Sequence, residues 1–163
     1  TLPMIRCMTW WLLAGLILCG TPPALLALST PPAGHPSGLA TVSTPDGFTI
    51  YCEIADTPAS RSRGLMYRKN MAPDRGMLFL FSEADYWTFW MKNTRMPLDI
   101  LWLDQNGKIV HLADHVPICN RTDNLCPRYR PGTVATQVLE LRAGQADALK
   151  LTTGTQLTIE MPK

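Results

Sequence analysis

The polar residues that stand closest to strongly apolar sequence in this chain lie between positions 92 and 99. Aromatic and aliphatic runs at positions 86–91 and 98–103 flank them, which places them near the edge of a core, and they include Lys92, Asn93, Thr94 and Asp99. A carboxylate or an ammonium group that leaves water costs several kcal/mol unless it is paired. We therefore expect these side chains either to brace one another in a structural network or to converge on a polar ligand.

Charged residues elsewhere in the chain could join this cluster, as ion-pair partners or as part of the same site: Glu53, Arg61, Arg68 and Glu140. Trp90 would add an aromatic face, on which the apolar face of a sugar ring can stack. Pockets that combine aromatic walls with a few convergent polar groups are typical of small-molecule sites. The candidate ligand-binding residues are therefore Glu53, Arg61, Arg68, Trp90, Lys92, Asn93, Thr94, Asp99 and Glu140.

The sequence lacks the motifs of several large enzyme classes. It contains no Gly-x-Ser-x-Gly turn and no phosphate-binding glycine loop. Asp99 and Glu140 could serve as a general acid and base if their carboxyl groups lay about 5 to 10 Å apart, as in glycoside hydrolases. We expect a non-catalytic module without a cofactor, and a hydrolase or lyase that uses Asp99 and Glu140 is the alternative.

The methionines suggest a copper site and Cys52 suggests a nucleophile, and each has a simpler interpretation. Five of the eight methionines lie between positions 66 and 96, and thioethers can bind Cu(I). Their neighbours are apolar and no tight Met-x-Met-x-x-Met run occurs, so core packing is favoured. Cys52 alternates with polar residues in a strand-like segment, which predicts a buried core residue rather than a nucleophile.

Cys119 and Cys126 lie in a polar loop at positions 117–132 and are predicted to form a disulfide, as is common in exported proteins. Zinc is the alternative, with His111 and His115 as further ligands. In a strand these two histidines would lie about 13 Å apart, at roughly 3.3 Å per residue, which is too far for one ion. We therefore expect the disulfide and no metal.

Residues 1–29 have the pattern of a secretory signal peptide. Arg6 precedes an apolar run from Trp10 to Cys19, and Ala27 and Ser29 fit the small residues at a cleavage site. An uncleaved N-terminal membrane anchor is the alternative. Residues 30–46 are rich in Pro, Ser and Thr, which predicts a flexible linker. The domain would then occupy residues 47–163, in the periplasm or outside the cell.

Length and charge limit the remaining choices. The chain has 163 residues, 46% of them hydrophobic, and a formal net charge of +2, which fits one domain and gives no basic surface for nucleic acid. The expected partner is a polar small molecule or glycan, and a membrane would be contacted only through an uncleaved N-terminal segment.

The pattern of apolar residues predicts a mainly β domain. Period-two alternation or short apolar runs indicate strands, two segments that begin with typical cap residues indicate short helices, and Asn106-Gly107 indicates a hairpin turn. The predicted strands cover residues 48–54, 77–81, 86–91, 98–103, 108–116, 134–141 and 155–161, and the predicted helices cover 58–66 and 145–151. We expect a single compact β-sandwich or half-open barrel with two short helices.

Several motifs resemble those of the family known as domain of unknown function 192 (DUF192), over about residues 48–159: Glu53-Ile54-Ala55, Arg61-x-x-Gly64-Leu65-Met66-x-Arg68, Gly76-Met77-Leu78-Phe79, Trp90-Met91-Lys92-Asn93-Thr94, Pro97-Leu98-Asp99-Ile100 and Val138-Leu139-Glu140-Leu141 with Ala143-Gly144. The resemblance implies a compact β-rich domain that is often exported or membrane-anchored in bacteria and archaea, and it implies no activity. We therefore expect an exported binding module for a polar ligand, such as an envelope glycan, at residues 90–99. A structural or assembly factor of the cell envelope is a further alternative.

Overall fold

The computed structural model describes residues 38–121, 123 and 125–163, which form a mainly β fold. In chain order its elements are β1 (Ala40–Ser43), β2 (Thr49–Ala55), α1 (Pro58–Arg63), β3 (Arg75–Asp85), β4 (Phe89–Trp90), β5 (Leu98–Leu103), β6 (Ile109–Val116), β7 (Arg128–Tyr129), β8 (Ala135–Arg142), α2 (Gln145–Ala148) and β9 (Thr158–Glu160).

Seven strands form one curled sheet in the order β6-β5-β8-β3-β2-β1-β9, and β4 and β7 form a separate two-stranded sheet. The pair β2 and β3 is parallel because α1 carries the chain across between them, and the other neighbours in the large sheet are antiparallel. Main-chain hydrogen bonds join Ile109, the first residue of β6, and the preceding Gly107 to residues 154–157 before β9. The sheet thus forms a half-barrel, which confirms the predicted mainly β fold with two short helices.

Two apolar cores lie on opposite faces of the sheet. The first contains the alternating residues Cys52, Leu78, Leu101, Leu139 and Leu141. Cys52 is fully buried, as predicted, and burial raises the pKa of its thiol to about 12, so the thiol stays protonated. Since neighbouring residues on a strand point to opposite faces, the residues between these positions build the second core.

The second core is rich in aromatic and sulfur-containing residues, and loops and α1 cover it. It includes Phe79, Trp102, Met77, Met91 and Met96. These three methionines are at most 6% exposed, in agreement with the predicted packing role.

Strand β1 corrects the predicted linker of residues 30–46. Ala40 and Val42 are fully buried, and β1 pairs with both β2 and β9. Four residues are too few to give a clear periodic signal in a segment rich in Ser and Thr, so the strand was missed. The predicted signal peptide, residues 1–29, and residues 30–37 of the linker lie outside the described residues. Within the described part of the chain, no helix is long and apolar enough to cross a membrane.

The segment around the predicted strand at residues 86–91 also differs from expectation. Strand β3 continues through residues 82–85, beyond the predicted strand at residues 77–81, and only Phe89 and Trp90 form the short strand β4. The Trp87 ring stacks on Phe81 at 3.8 Å between ring centroids, and the Trp87 carbonyl accepts a hydrogen bond from Trp102. This packing holds the segment over the face of the large sheet rather than at its edge.

Candidate functional site

Asp99 is a structural brace. Its side chain is fully buried in β5, and its carboxylate accepts three main-chain hydrogen bonds. The donors are His115 at 2.8 Å, Gly144 at 3.2 Å and Ala146 at 2.8 Å. The last two belong to the start of α2, so Asp99 fixes that helix and the end of β6 against the sheet. Backbone donors bind both of its oxygens, and Asp99 does not line the cleft described below.

Glu140 lies on the opposite face of the sheet from Asp99. In the β5–β8 register Asp99 is opposite Leu141, whereas Glu140 is opposite Ile100. Paired residues in a sheet point to the same face, and the next residue along points to the other. Asp99 therefore shares a face with Leu141, and Glu140 shares one with Met77. The sheet separates the two carboxyl groups, and the alternative of a hydrolase or lyase that uses this pair loses its geometric basis.

The carboxyl group of Glu140 has no hydrogen-bond or ion-pair partner among the described residues. The residue is only 4% exposed, and burial raises the pKa of its side chain to about 8. At neutral pH the group is therefore mostly protonated, and it can donate one hydrogen bond. A ligand that reached this carboxyl group would supply the hydrogen-bond partner that it lacks among the described residues.

Glu140 opens onto a small cavity of about 40 Å³, which we call the inner cleft. One wall is the C-terminal turn of α1 and the residues after it, and the other is β4 with the start of the following loop. Helix α1 begins where it does because Thr57 caps it reciprocally with Ser60 and Pro58 occupies its first turn. The residues that line the inner cleft are Arg61, Ser62, Arg63, Gly64, Leu65, Met66, Phe79, Phe89, Trp90, Lys92, Thr94 and Glu140.

A wider cavity of about 230 Å³, the outer cleft, continues from the inner one. The two share five lining residues: Arg61, Ser62, Phe79, Phe89 and Trp90. The outer cleft adds Phe81, Trp87 and Thr88, so its walls are mainly aromatic. Together the inner and outer clefts form one groove, the Glu140 cleft.

Arg61 is held in a fixed position at the junction of the two clefts. Its Nη1 donates hydrogen bonds to the carbonyl of Asp56 at 2.6 Å and to that of Leu80 at 3.0 Å. Its guanidinium also lies 5.1 Å from the centroid of the Phe81 ring. A cation with this many contacts is positioned before any ligand arrives.

The predicted cluster at residues 90–94 is divided between the cleft and its surroundings. The Trp90 ring lies 5.1 Å from Nζ of Lys92 and 4.7 Å from the guanidinium carbon of Arg128. Thr94 is 8% exposed, and its side chain lines the inner cleft. Asn93 is exposed, with φ of 57°, and its amide contacts the sulfur of Met66 at 3.8 Å, so it shapes the loop and does not line this cleft.

Glu53 and Arg68 lie apart from the Glu140 cleft and pair with each other. Two nearly parallel hydrogen bonds join the guanidinium to the carboxylate. The hydrogen bond from Arg68 lowers the pKa of Glu53, and the same bond raises the pKa of Arg68. The pair lines a different cavity of about 410 Å³ with Tyr51 and Arg75. The structure therefore does not bring Glu53 and Arg68 together with Trp90 and Glu140, because Arg68 lies beyond the turn that follows α1.

The predicted disulfide between Cys119 and Cys126 is present. It closes the loop that leads to β7, and β7 pairs with β4 through Phe89 opposite Tyr129 and Trp90 opposite Arg128. His111 instead packs against Trp102, with ring centroids 5.2 Å apart. The disulfide loop thus supports the strand that forms one wall of the Glu140 cleft.

Comparison with known proteins identifies the family. The family model DUF192, described as "Uncharacterized ACR", matches residues 41–159. The chain belongs to the DUF192 family. No curated protein matches this DUF192 chain significantly.

Two solved structures are similar to the DUF192 chain. One is a protein from Sinorhizobium meliloti 1021 described as a candidate transcription regulator, at 34% identity and a TM-score of 0.66, with 77% of this chain and 98% of that one covered. The other is a protein of unknown function from Novosphingobium aromaticivorans DSM 12444, at 29% identity and a TM-score of 0.65, with 80% and 94% covered.

Several residues of the DUF192 cleft were not predicted from the sequence: Ser62, Arg63, Phe79, Phe81 and Phe89. Phe79 and Phe81 lie two residues apart on β3, so their common face could have been read from strand alternation. Arg63 gives no such signal, because its position depends on where α1 ends and packs.

Proposed function

We propose that this DUF192 chain is an exported, non-catalytic module that binds a small polar ligand in the Glu140 cleft, with a single unit of an envelope glycan as the leading candidate. The observation that carries the proposal is the buried carboxyl of Glu140, which has no partner among the described residues and faces a cavity. Buried polar groups in folded proteins are nearly always hydrogen-bonded. A ligand hydroxyl or carbonyl group would supply the missing partner.

The size of the cleft limits the ligand. Pockets for drug-sized molecules usually measure about 300 to 1,000 Å³, whereas the inner and outer clefts measure about 40 and 230 Å³. This favours a molecule of roughly one sugar unit, or the terminal unit of a longer chain. The aromatic walls formed by Phe89 and Trp90 suit a ligand that has apolar as well as polar surface.

A non-catalytic role is supported by the chemistry of the lining. Glu140 is the one carboxyl group among the described residues that line the two clefts. Glycoside hydrolysis normally needs two carboxyl groups on either side of the bond that breaks. Export is supported by the N-terminal sequence pattern and by the disulfide, because disulfides persist mainly in oxidising compartments.

A ligand titration of the full chain, followed by two-dimensional NMR, tests the proposal. Neutral sugars, sugar acids, amino sugars and amino acids are added separately, and we expect amide signals of residues 61–66 and 89–94 to shift. Glu140→Met keeps the approximate size of the side chain but removes its hydrogen-bonding groups, so it should weaken binding at least fivefold. Glu83→Met, on the exposed end of β3, is the matched control and should bind normally. Absence of shifts at the cleft with all four classes would refute the proposal.

A further inference from the structure

We propose that the ligand of the Glu140 cleft is a sugar acid, with its carboxylate at Arg61 and Arg63 and a hydroxyl group at Glu140. This inference rests on the proposed binding function and assigns the chemical class of the ligand. Four features carry it: the charges that line the cleft, the fixed position of Arg61, the small inner end, and the aromatic walls that the two clefts share.

The lining of the cleft is strongly biased towards positive charge. Arg61, Arg63 and Lys92 line it, whereas Glu140 is its one acidic residue among those described. Burial keeps Glu140 mostly uncharged at neutral pH. A groove lined by charges of one sign concentrates ligands of the opposite sign. The cleft therefore favours a ligand that carries negative charge.

Arg61 has the geometry of a prepared carboxylate donor. Its Nη1 is committed to the carbonyls of Asp56 and Leu80, and the Phe81 ring lies beside its guanidinium. A guanidinium has five N–H donors in a rigid plane, so other donors remain once Nη1 is occupied. Donors that are fixed in advance bind with a smaller loss of entropy. A carboxylate, which accepts two parallel hydrogen bonds from arginine, matches this group.

The inner end suits a hydroxyl group. Its volume of about 40 Å³ exceeds the roughly 10 to 15 Å³ that a cavity needs to hold one water molecule, so a hydroxyl group fits there. Glu140 and Thr94 line this end, and each can both donate and accept a hydrogen bond when Glu140 is protonated. A ligand ammonium group would instead require Glu140 to ionise in a buried position, at a cost in desolvation.

The rings of Phe79, Phe89 and Trp90 line both clefts, and Arg61 lies where the two clefts meet. A ligand ring in the outer cleft that sends its carboxylate to Arg61 and one hydroxyl group into the inner cleft therefore places apolar surface against these rings. A pyranose ring with a carboxylate at one end and hydroxyl groups at the other has this distribution of surface. Simple hydroxy acids lack the ring, and neutral sugars lack the charge.

Isothermal titration of the full chain with D-glucuronate, D-glucose and glycine tests the assignment. We expect D-glucuronate to bind at least tenfold more tightly than D-glucose, and glycine not to bind. Arg63→Gln removes one charge of the cleft at an exposed position, so it should weaken D-glucuronate binding three- to tenfold and leave any binding of D-glucose unchanged. Lys69→Gln, exposed and outside both clefts, is the matched control.

Equal affinity for D-glucose and D-glucuronate, or an unchanged affinity of Arg63→Gln for D-glucuronate, would overturn the sugar-acid assignment while leaving the proposed binding function in place. Binding of glycine in preference to D-glucuronate would also overturn it, because Glu140 would then act as an ionised partner for ammonium. If none of the three probes binds and the broader NMR titration also shows no shifts at the cleft, both the assignment and the proposed function fail. The thermal midpoint of each variant is measured to confirm that it is folded.

Discussion

Asp99 and Glu140 are both buried acids on adjacent strands, yet the fold uses them in opposite ways. Asp99 accepts three backbone hydrogen bonds, whereas Glu140 has no partner among the described residues. The sequence predicts that both need partners, because both interrupt apolar strands. It does not reveal which acid is satisfied, because the answer depends on the register that places Asp99 opposite Leu141.

Replacing Asp99 by asparagine should lower the free energy of unfolding by about 2 to 4 kcal/mol, because a buried hydrogen bond to a charged group contributes about 1.5 to 3 kcal/mol. The new amide NH₂ would face backbone N–H groups of α2 or His115 that need an acceptor. Urea unfolding measures the change. Asp46→Asn, at an exposed turn, is the control, and a loss as small as that of the control would contradict the assigned role of Asp99.

Replacing Glu140 by glutamine should make stability less dependent on pH. The pKa of Glu140 is about 8 in the folded protein, against 4.5 as its ordinary value. Between these two pH values the folded state holds the proton and the unfolded state has lost it. The contribution of Glu140 to the free energy of unfolding is therefore fully present below pH 4.5 and is lost as the pH rises to about 8. Over this range the wild type should lose roughly 1 to 4 kcal/mol relative to Glu140→Gln, since each pKa unit corresponds to about 1.4 kcal/mol.

Thermal midpoints of the wild type, Glu140→Gln and Glu83→Gln at pH 5, 7 and 9 measure this difference. Glu83→Gln should follow the wild type. Parallel curves for the wild type and Glu140→Gln would mean that the carboxyl group is ionised in the folded protein and that the proposed hydrogen-bond donor does not exist.

Among the secondary-structure elements, the two shortest strands, β4 and β7, position part of the candidate site. Strands β4 and β7 contain two residues each, and their pairing carries Trp90 to the wall of the Glu140 cleft. The sequence predicts β5 with its observed bounds of residues 98–103, because an apolar run that only Asp99 interrupts ends at the Asp104 turn. It cannot predict β4 and β7, since two-residue strands depend on tertiary packing and leave no periodic pattern.

Removal of the disulfide should loosen this small sheet before it affects the large one. In a Cys119→Ser/Cys126→Ser variant, the loop that leads to β7 is no longer closed. We expect hydrogen exchange at the Phe89 and Trp90 amides to become at least tenfold faster, while exchange at Leu101 in β5 changes less than threefold. Asn120→Ser in the same loop is the control. Equal acceleration in β4 and β5 would show that the disulfide stabilises the molecule as a whole instead.

The whole molecule depends on strands that are distant in sequence but adjacent in the sheet. Strand β1 lies between β2 and β9, and the segment before β9 also bonds to the beginning of β6. The fold class could be predicted, because the apolar patterns of most strands are clear. The predicted linker of residues 30–46 missed β1 at residues 40–43, because the contribution of β1 is visible only when both of its neighbours are in place.

A charge introduced into the buried face of β1 should therefore destabilise the pairing of β1 with both β2 and β9. Val42 is fully buried, whereas Val134 is 42% exposed, so Val42→Asp and Val134→Asp form a matched pair. We expect Val42→Asp to lower the free energy of unfolding by at least 3 kcal/mol, because an unpaired charge would be buried, and Val134→Asp to lower it by less than 1 kcal/mol. Urea unfolding measures both, and similar losses in the two variants would contradict the assigned role of β1.

The place of β8 in the sheet has a consequence for protein synthesis. This strand is the eighth of nine in sequence, yet it lies between β3 and β5 and supplies Glu140. As the chain leaves the ribosome, the earlier strands can form a β5–β6 hairpin and a β1–β2–β3 unit, but no strand pairing joins the two until β8 arrives. A nascent chain that stops before β8 would contain the aromatic walls of the cleft without its acid. Ligand binding would therefore report that translation of the domain is nearly complete.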